Sequence, residues 1–184
     1  MNGRNGSGGW SGESGPAAQG ERSRVPIVKK TNLNSLEFET DDSDPEGYKA
    51  AMARFGPSIG AAMLGATVYE LPPGQSICPY HYEYGNEEWA IVLEGRPTMR
   101  HPGGEDEVEP FDVICFPNGP DGAHKFTNGT DETVRVLILS TKNDPSLAVY
   151  PDSDKIGAWP GPEFREDHIL VRRESHVQYY DGET

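Results

Sequence analysis

Short apolar runs alternate with turn chemistry along most of the chain. Residues 59–71, 77–82, 88–93, 97–101, 105–109, 112–116, 124–128 and 133–140 carry the alternation or the continuous apolar character of strands. Between them fall Pro72-Pro73-Gly74, 84–87, Gly95, Pro102-Gly103-Gly104, Pro110, 117–122 and 129–132. Many short strands at a spacing of roughly 8–12 residues, broken in this way, predict an all-β sandwich or barrel. Residues 25–30 and 33–38 precede this core as two further predicted strands. One short helix is expected over 48–55, with Ser43 or Asp44 as N-cap, Pro45 in the first position and Gly56-Pro57 as the stop. Residues 144–162 read as mostly turn, and 168–173 and 176–180 close the chain as a last pair of short strands.

The first 24 residues break this pattern. They hold seven glycines and, beyond Met1, a single large apolar residue, Trp10. Such a stretch buries too little apolar surface to offset the entropy of ordering it, so a disordered tail is expected there. One domain is then expected over 25–184, which suits a chain of 184 residues.

Composition narrows the functional classes. With 30 Asp and Glu against 16 Lys and Arg, the net charge is −14. A surface that acidic argues against nucleic acid or an anionic membrane as partner. No apolar run reaches the roughly 18–20 residues of a membrane span, and the first 30 residues lack a hydrophobic leader core. A soluble, cytoplasmic protein is the expectation. The two cysteines, Cys78 and Cys115, do not make a disulfide scaffold and read as buried apolar thiols.

Candidate chemistry gathers at two places. In the stretch His81-Tyr82-Glu83, His81 and Glu83 are two apart on a predicted strand and so share one face. The turn at 84–87 brings Glu88, which opens the next strand, back beside them. His124 begins another strand after a long polar loop. Two imidazoles with one or two carboxylates on strand faces form a donor set for a divalent cation, in the manner of open non-haem iron sites. The oxygen-rich set favours Fe2+ or Mn2+, with Zn2+ and Ni2+ as alternatives. Glu83 reads either as a further ligand or as a pocket base. Glu87 should point away, as should Tyr80, Tyr82, Tyr84 and Trp89, which suits packing or a subunit interface. His101, His168 and His176 read as surface groups.

The two stretches GQSICPYHYEYGNEEWAIVLEG and FDVICFPNGPDGAHKFTN resemble the two motifs of the cupin superfamily. Glu88 and Gly95 fit the first motif; Pro117, Gly119, His124 and Asn128 fit the second. Three positions depart from it: Glu83 replaces the usual second His, Phe111 replaces an opening Gly, and the interval from Gly119 to His124 is two residues longer. The resemblance covers 59–141, leaving 142–184 as a C-terminal extension. Together with Tyr150-Pro151-Asp152-Ser153-Asp154-Lys155-Ile156-Gly157, it is most similar to small, uncharacterised bacterial single-domain cupins.

The resemblance implies an antiparallel jelly-roll β-barrel with metal ligands at His81, Glu88 and His124. It also implies a small-molecule substrate or ligand in the open positions, and a homodimer built through sheet edges. The function expected is a metal-dependent enzyme, an oxygenase or isomerase-like catalyst with Glu83 as general base. A non-catalytic barrel that binds or senses a small molecule is the alternative.

Overall fold

The computed structural model describes residues 28–184; the tail expected over 1–24 lies outside them. Among the described residues there are twelve short strands, joined by 3-10 turns and loops, and no α-helix. In chain order they are β1 (Ala51–Arg54), β2 (Leu64–Leu71), β3 (Tyr82–Tyr84), β4 (Glu88–Glu94), β5 (Thr98–His101) and β6 (Gly104–Glu107). Then follow β7 (Val113–Phe116), β8 (Lys125–Thr127), β9 (Val134–Thr141), β10 (Ser146–Tyr150), β11 (Lys155–Trp159) and β12 (Ile169–Arg172).

A five-stranded antiparallel sheet runs in the order β1-β2-β9-β4-β7. Two smaller sheets, β6-β5-β8 and β12-β11-β10-β3, make up the opposing layer. Isolated bridges Ser76–Thr127 and His81–His124 tie the chain just before β3 to β8, so the smaller sheets continue into one another. The result is a barrel, as the strand pattern predicts, with the antiparallel jelly-roll arrangement that the motif resemblance implies.

Alternation explains the packing. On β4, Glu88, Ala90 and Val92 face inward, while Trp89 is 42% exposed. Ala90 and Val92 join Leu71, Phe116, Val134 and Val136 of the same sheet, and Met99 and Phe126 from the other layer, in one core. Each such Val, Leu or Phe side chain contributes about 1.5–3 kcal/mol by leaving water. This apolar plug fills one end of the barrel; the inward positions nearer the start of β4 are polar. Gly95 ends β4 at φ +78, where an added Cβ would sit 2.6 Å from Val134 Cγ2, so both backbone and space require glycine. Phe111, at the position where a glycine is usual, adopts φ +76 with its ring 80% exposed.

Four local expectations need correction. The helix over 48–55 is instead β1: Ala51–Arg54 pairs with Thr67, Val68, Tyr69 and Glu70 of β2. Met52 also exchanges two backbone hydrogen bonds with Glu39, of 2.9 and 2.8 Å. A short helix gains little by itself, and pairing on both sides outweighs its propensity. The strands over 25–30 and 33–38 do not form within the described residues. Leu33–Ser35 is a 3-10 turn capped by Asn32, and Glu39 alone bridges to a strand. Residues 144–162 are not mostly turn, because they contain the β10–β11 hairpin, which pairs with β3 on one side and β12 on the other. The expected strand over 176–180 is irregular chain after the 3-10 turn Arg173–Ser175.

Candidate metal centre

Strands from both layers converge at the polar end of the barrel. Glu88 opens the central strand β4, held between Phe116 of β7 and Ser140 of β9. His81 and His124 come from the opposing layer and exchange both backbone hydrogen bonds, His81 N–H to the His124 carbonyl at 3.2 Å and the reverse at 2.8 Å. Their rings lie 4.8 Å apart. His124 is packed flat against Phe116 at 3.7 Å, and Tyr150 of β10 stacks on His81 at 5.8 Å.

The hydrogen bonds decide which nitrogen is free. His81 Nδ1 lies 3.1 Å from the Pro79 carbonyl, and His124 Nδ1 lies 2.9 Å from the Gly122 carbonyl. A carbonyl only accepts, so each Nδ1 carries the proton and donates it. Both Nε2 lone pairs are left to face Glu88, at 3.9 Å from Oε2 for His81 and 3.6 Å for His124. These distances exceed a hydrogen bond. They match the separation of about 3–4 Å between neighbouring ligands that each bond one cation at about 2.0–2.2 Å. Among the described residues, one ligand atom from each of His81, Glu88 and His124 lies within 4.8 Å of the others. The donor set therefore fits a divalent ion, with the imidazoles held in the binding tautomer by carbonyls beyond the site.

Electrostatics point the same way. Burial, and then the nearby His81, push the His124 imidazolium down to about 3, against the pull of the Gly122 carbonyl. Burial also lowers His81, resisted by the charge of Glu83 and by backbone hydrogen bonds. The Glu88 carboxyl is pushed up to about 7 by burial and by Glu83, partly opposed by Ser140. Two neutral imidazoles beside a carboxylate that lacks a counter-charge make a pocket in which a cation would offset the burial of Glu88.

A cavity of about 190 Å³ opens over the cluster. Tyr69, Ile77, Phe126 and Ile138 line it together with Cys78 and Glu83. Glu83 thus shares the cavity with the three converging donors of His81, Glu88 and His124, yet its oxygens are not part of the close cluster. Its Oε2 accepts a hydrogen bond of 3.1 Å from Asn86 Nδ2. Cys78 Sγ sits 3.5 Å from His81 Nδ1, and burial pushes its thiol up to about 12. Cys115, expected to be buried, is exposed on the outer face of the edge strand β7.

The remaining expected positions separate cleanly. Glu87 accepts from Trp89 Nε1 at 2.7 Å, away from the cavity. His101 pairs with Asp106 at 3.2 Å, and His168 and His176 are exposed. Tyr80 packs beneath Arg100, whose guanidinium carbon is 3.9 Å from the ring centre. Tyr69, Asn86 and Tyr150 were not singled out as site residues. Counting back by two from Glu88 places Asn86 on the inward face, which is the signal that could have found it. Tyr150 was hidden in a segment read as turn.

A small antiparallel barrel with an inward His–Glu–His donor set at one end defines a jelly-roll β-barrel whose cavity fits a divalent ion. Residues 67–140 match the cupin domain family. The matched stretch runs from within β2 to within β9 and forms the centre of the barrel, which has the cupin fold. Among solved structures it is similar to a cupin-superfamily sugar phosphate isomerase from Silicibacter pomeroyi, at 24% identity and TM-score 0.70, covering 83% of this chain and 98% of that one. The polyketide cyclase RemF from Streptomyces resistomycificus is 25% identical at TM-score 0.54, with 65% and 84% covered. A cupin-2 domain from Rhodospirillum rubrum is 14% identical at TM-score 0.52, with 66% and 80% covered. No curated protein matches the chain.

Proposed function

We propose that this chain is a metal-dependent enzyme that acts on a compact polar molecule, as an isomerase-like catalyst or an oxygenase. The observation that carries the reading is a carboxylate outside the close donor cluster, Glu83, in the same cavity as the two oriented imidazoles and Glu88. A cavity of about 190 Å³ is smaller than the roughly 300–1,000 Å³ that drug-sized ligands occupy, so the substrate has few heavy atoms. The similarity to a polyketide cyclase supports catalysis over passive binding.

His81, Glu88 and His124 would hold the ion, with Fe2+ or Mn2+ favoured by the oxygen content of the cavity and Zn2+ or Ni2+ as alternatives. The bound ion would polarise an oxygen of the substrate or bind O2. Glu83 takes or returns a proton at a carbon or oxygen lying above the cluster, and Asn86 fixes the carboxylate for that task. Ile77, Phe126 and Ile138 keep the reacting groups dry, which strengthens each charge interaction inside. A homodimer is part of the proposal. The edge strand β7 exposes Val113 and Cys115 beside Trp89 of β4, an apolar surface on an otherwise acidic chain.

Elemental analysis of protein purified without chelator tests the reading, with about one Fe or Mn per chain expected. Metabolite screens with and without O2 then separate oxygenase from isomerase-like chemistry. An intact fold carrying no stoichiometric metal would sink the enzyme reading, and a loaded barrel that binds a metabolite without turnover would favour a sensing barrel. Sedimentation of the parent and of Trp89→Glu, expected to run as dimer and monomer, tests the assembly.

A further inference from the structure

Asn86 reaches the cavity through Glu83, which lines it. It lies in the turn between β3 and β4, is 8% exposed, and uses both ends of its amide. Oδ1 accepts from the Asn143 backbone N–H at 2.9 Å and from the Thr141 hydroxyl at 3.2 Å. Nδ2 donates to Glu83 Oε2 at 3.1 Å. The orientation is fixed by chemistry: a backbone N–H only donates and an ionised carboxylate only accepts, so a flipped amide would break both contacts.

The partners are held in turn. The Glu87 backbone N–H donates to Thr141 Oγ1 at 3.0 Å, and Asn143 Nδ2 donates to the Gly85 carbonyl at 2.7 Å. The end of β9 is thereby tied to the β3–β4 turn. On the other side, the Gly119 N–H donates to the Glu83 carbonyl at 2.8 Å, and Glu83 pairs with Ala148 of β10. Backbone pairing thus sets the strand, and Asn86 sets the carboxylate.

We infer that Asn86 is a positioning residue that withholds Glu83 from the His81–Glu88–His124 donor set and so keeps it as a free base rather than a fourth ligand. The inference rests on the metal-centre reading above. Without the Asn86 amide, the Glu83 side chain, already on the same strand face as His81, is free to turn its oxygens toward the cluster. The same carboxylate would then act as a ligand, and the cavity would lose its base.

Titration of the metal-free protein with Co2+, followed by calorimetry and by the visible d–d spectrum, tests this. Glu83→Gln alone is expected to leave Co2+ affinity within about threefold of the parent and the spectrum unchanged. Asn86→Ala is expected to bind Co2+ about tenfold tighter with an altered spectrum, and adding Glu83→Gln should reverse both changes. If Asn86→Ala does not fold, Asn86→Asp keeps the acceptors for Asn143 and Thr141 and is read against its own Glu83→Gln double variant. A tenfold weakening by Glu83→Gln alone would show that Glu83 is already a ligand and overturn the inference. So would unchanged affinity and spectrum in the Asn86 variants, or changes that persist without Glu83. Failure of the parent to bind Co2+ at all would instead overturn the metal-centre reading itself.

Discussion

The two sides of the cavity are positioned by different means. His81 and His124 are pinned by a reciprocal pair of backbone hydrogen bonds, and Glu88 sits on a strand paired on both flanks. Glu83 comes from β3, which pairs with β10, and its reach is set by one side-chain amide. Donors fixed by backbone tolerate sequence change around them. A carboxylate fixed by one side chain can be re-aimed by one substitution. The first arrangement suits a metal site, whose geometry must hold, and the second suits a group whose role is open to adjustment.

The contrast breaks most visibly at His124. His124→Ala should lower Co2+ or Mn2+ affinity by at least about a hundredfold, read by calorimetry, with the fold checked by circular dichroism. Next comes Gly122, whose carbonyl orients His124. An added Cβ would lie 1.9 Å from the Pro117 oxygen, against backbone rather than a flexible side chain. Gly122→Ala should therefore cost about 1–3 kcal/mol in chemical denaturation and weaken metal binding about tenfold.

Glu88→Gln sharpens the comparison through pH. In the metal-free protein the Glu88 carboxyl ionises near 7, against an ordinary value of 4.5, so its contribution to stability is full below about 4.5 and is lost as pH rises through 7. His124, lowered from 6.5 to about 3, acts oppositely: its contribution is full above 6.5 and is lost as pH falls toward 3. Glu88→Gln removes only the first effect. Thermal melts in chelator should show it gaining on the parent between pH 5 and pH 8, by up to about 3 kcal/mol, while its metal affinity falls. The smallest effect is expected far from the cluster. Arg100 grips Asp152 with two hydrogen bonds, of 2.6 and 2.9 Å, joining β5 to the turn after β10. The pair is largely exposed, so Asp152→Asn should cost less than about 1 kcal/mol and leave metal affinity unchanged.

The barrel was legible because its central strands carry alternation that burial enforces. Glu88, Ala90 and Val92 facing in with Trp89 facing out is visible in the sequence itself. The three clustered donors were legible for the same reason, reinforced by the spacing of two motifs. What failed depends on partners distant in sequence. Ala51–Arg54 has a helix-compatible composition and becomes a strand only between Glu39 and β2. The β10–β11 hairpin follows Pro145, turns at Pro151 and contains Gly157, which together read as turn. That glycine instead makes room for Trp159, whose ring lies 2.3 Å from where a Cβ would sit. With β10 unseen, Tyr150 was unseen, and the link from Asn86 to Asn143 spans 57 residues that no local pattern connects.

Phe111 shows where this barrel carries local frustration. A bulky residue in the left-handed region conflicts with its own backbone preference, at a cost of about 1–2 kcal/mol. Its N–H still donates to the Val92 carbonyl at 2.8 Å, so the global fold overrides the local conflict. Val92 lies toward the end of β4 remote from Glu88. Relief of that conflict is therefore mechanically insulated from the cluster: Phe111→Gly should raise the melting temperature without altering metal affinity, and the barrel can be hardened at one end while the chemistry at the other stays as it is.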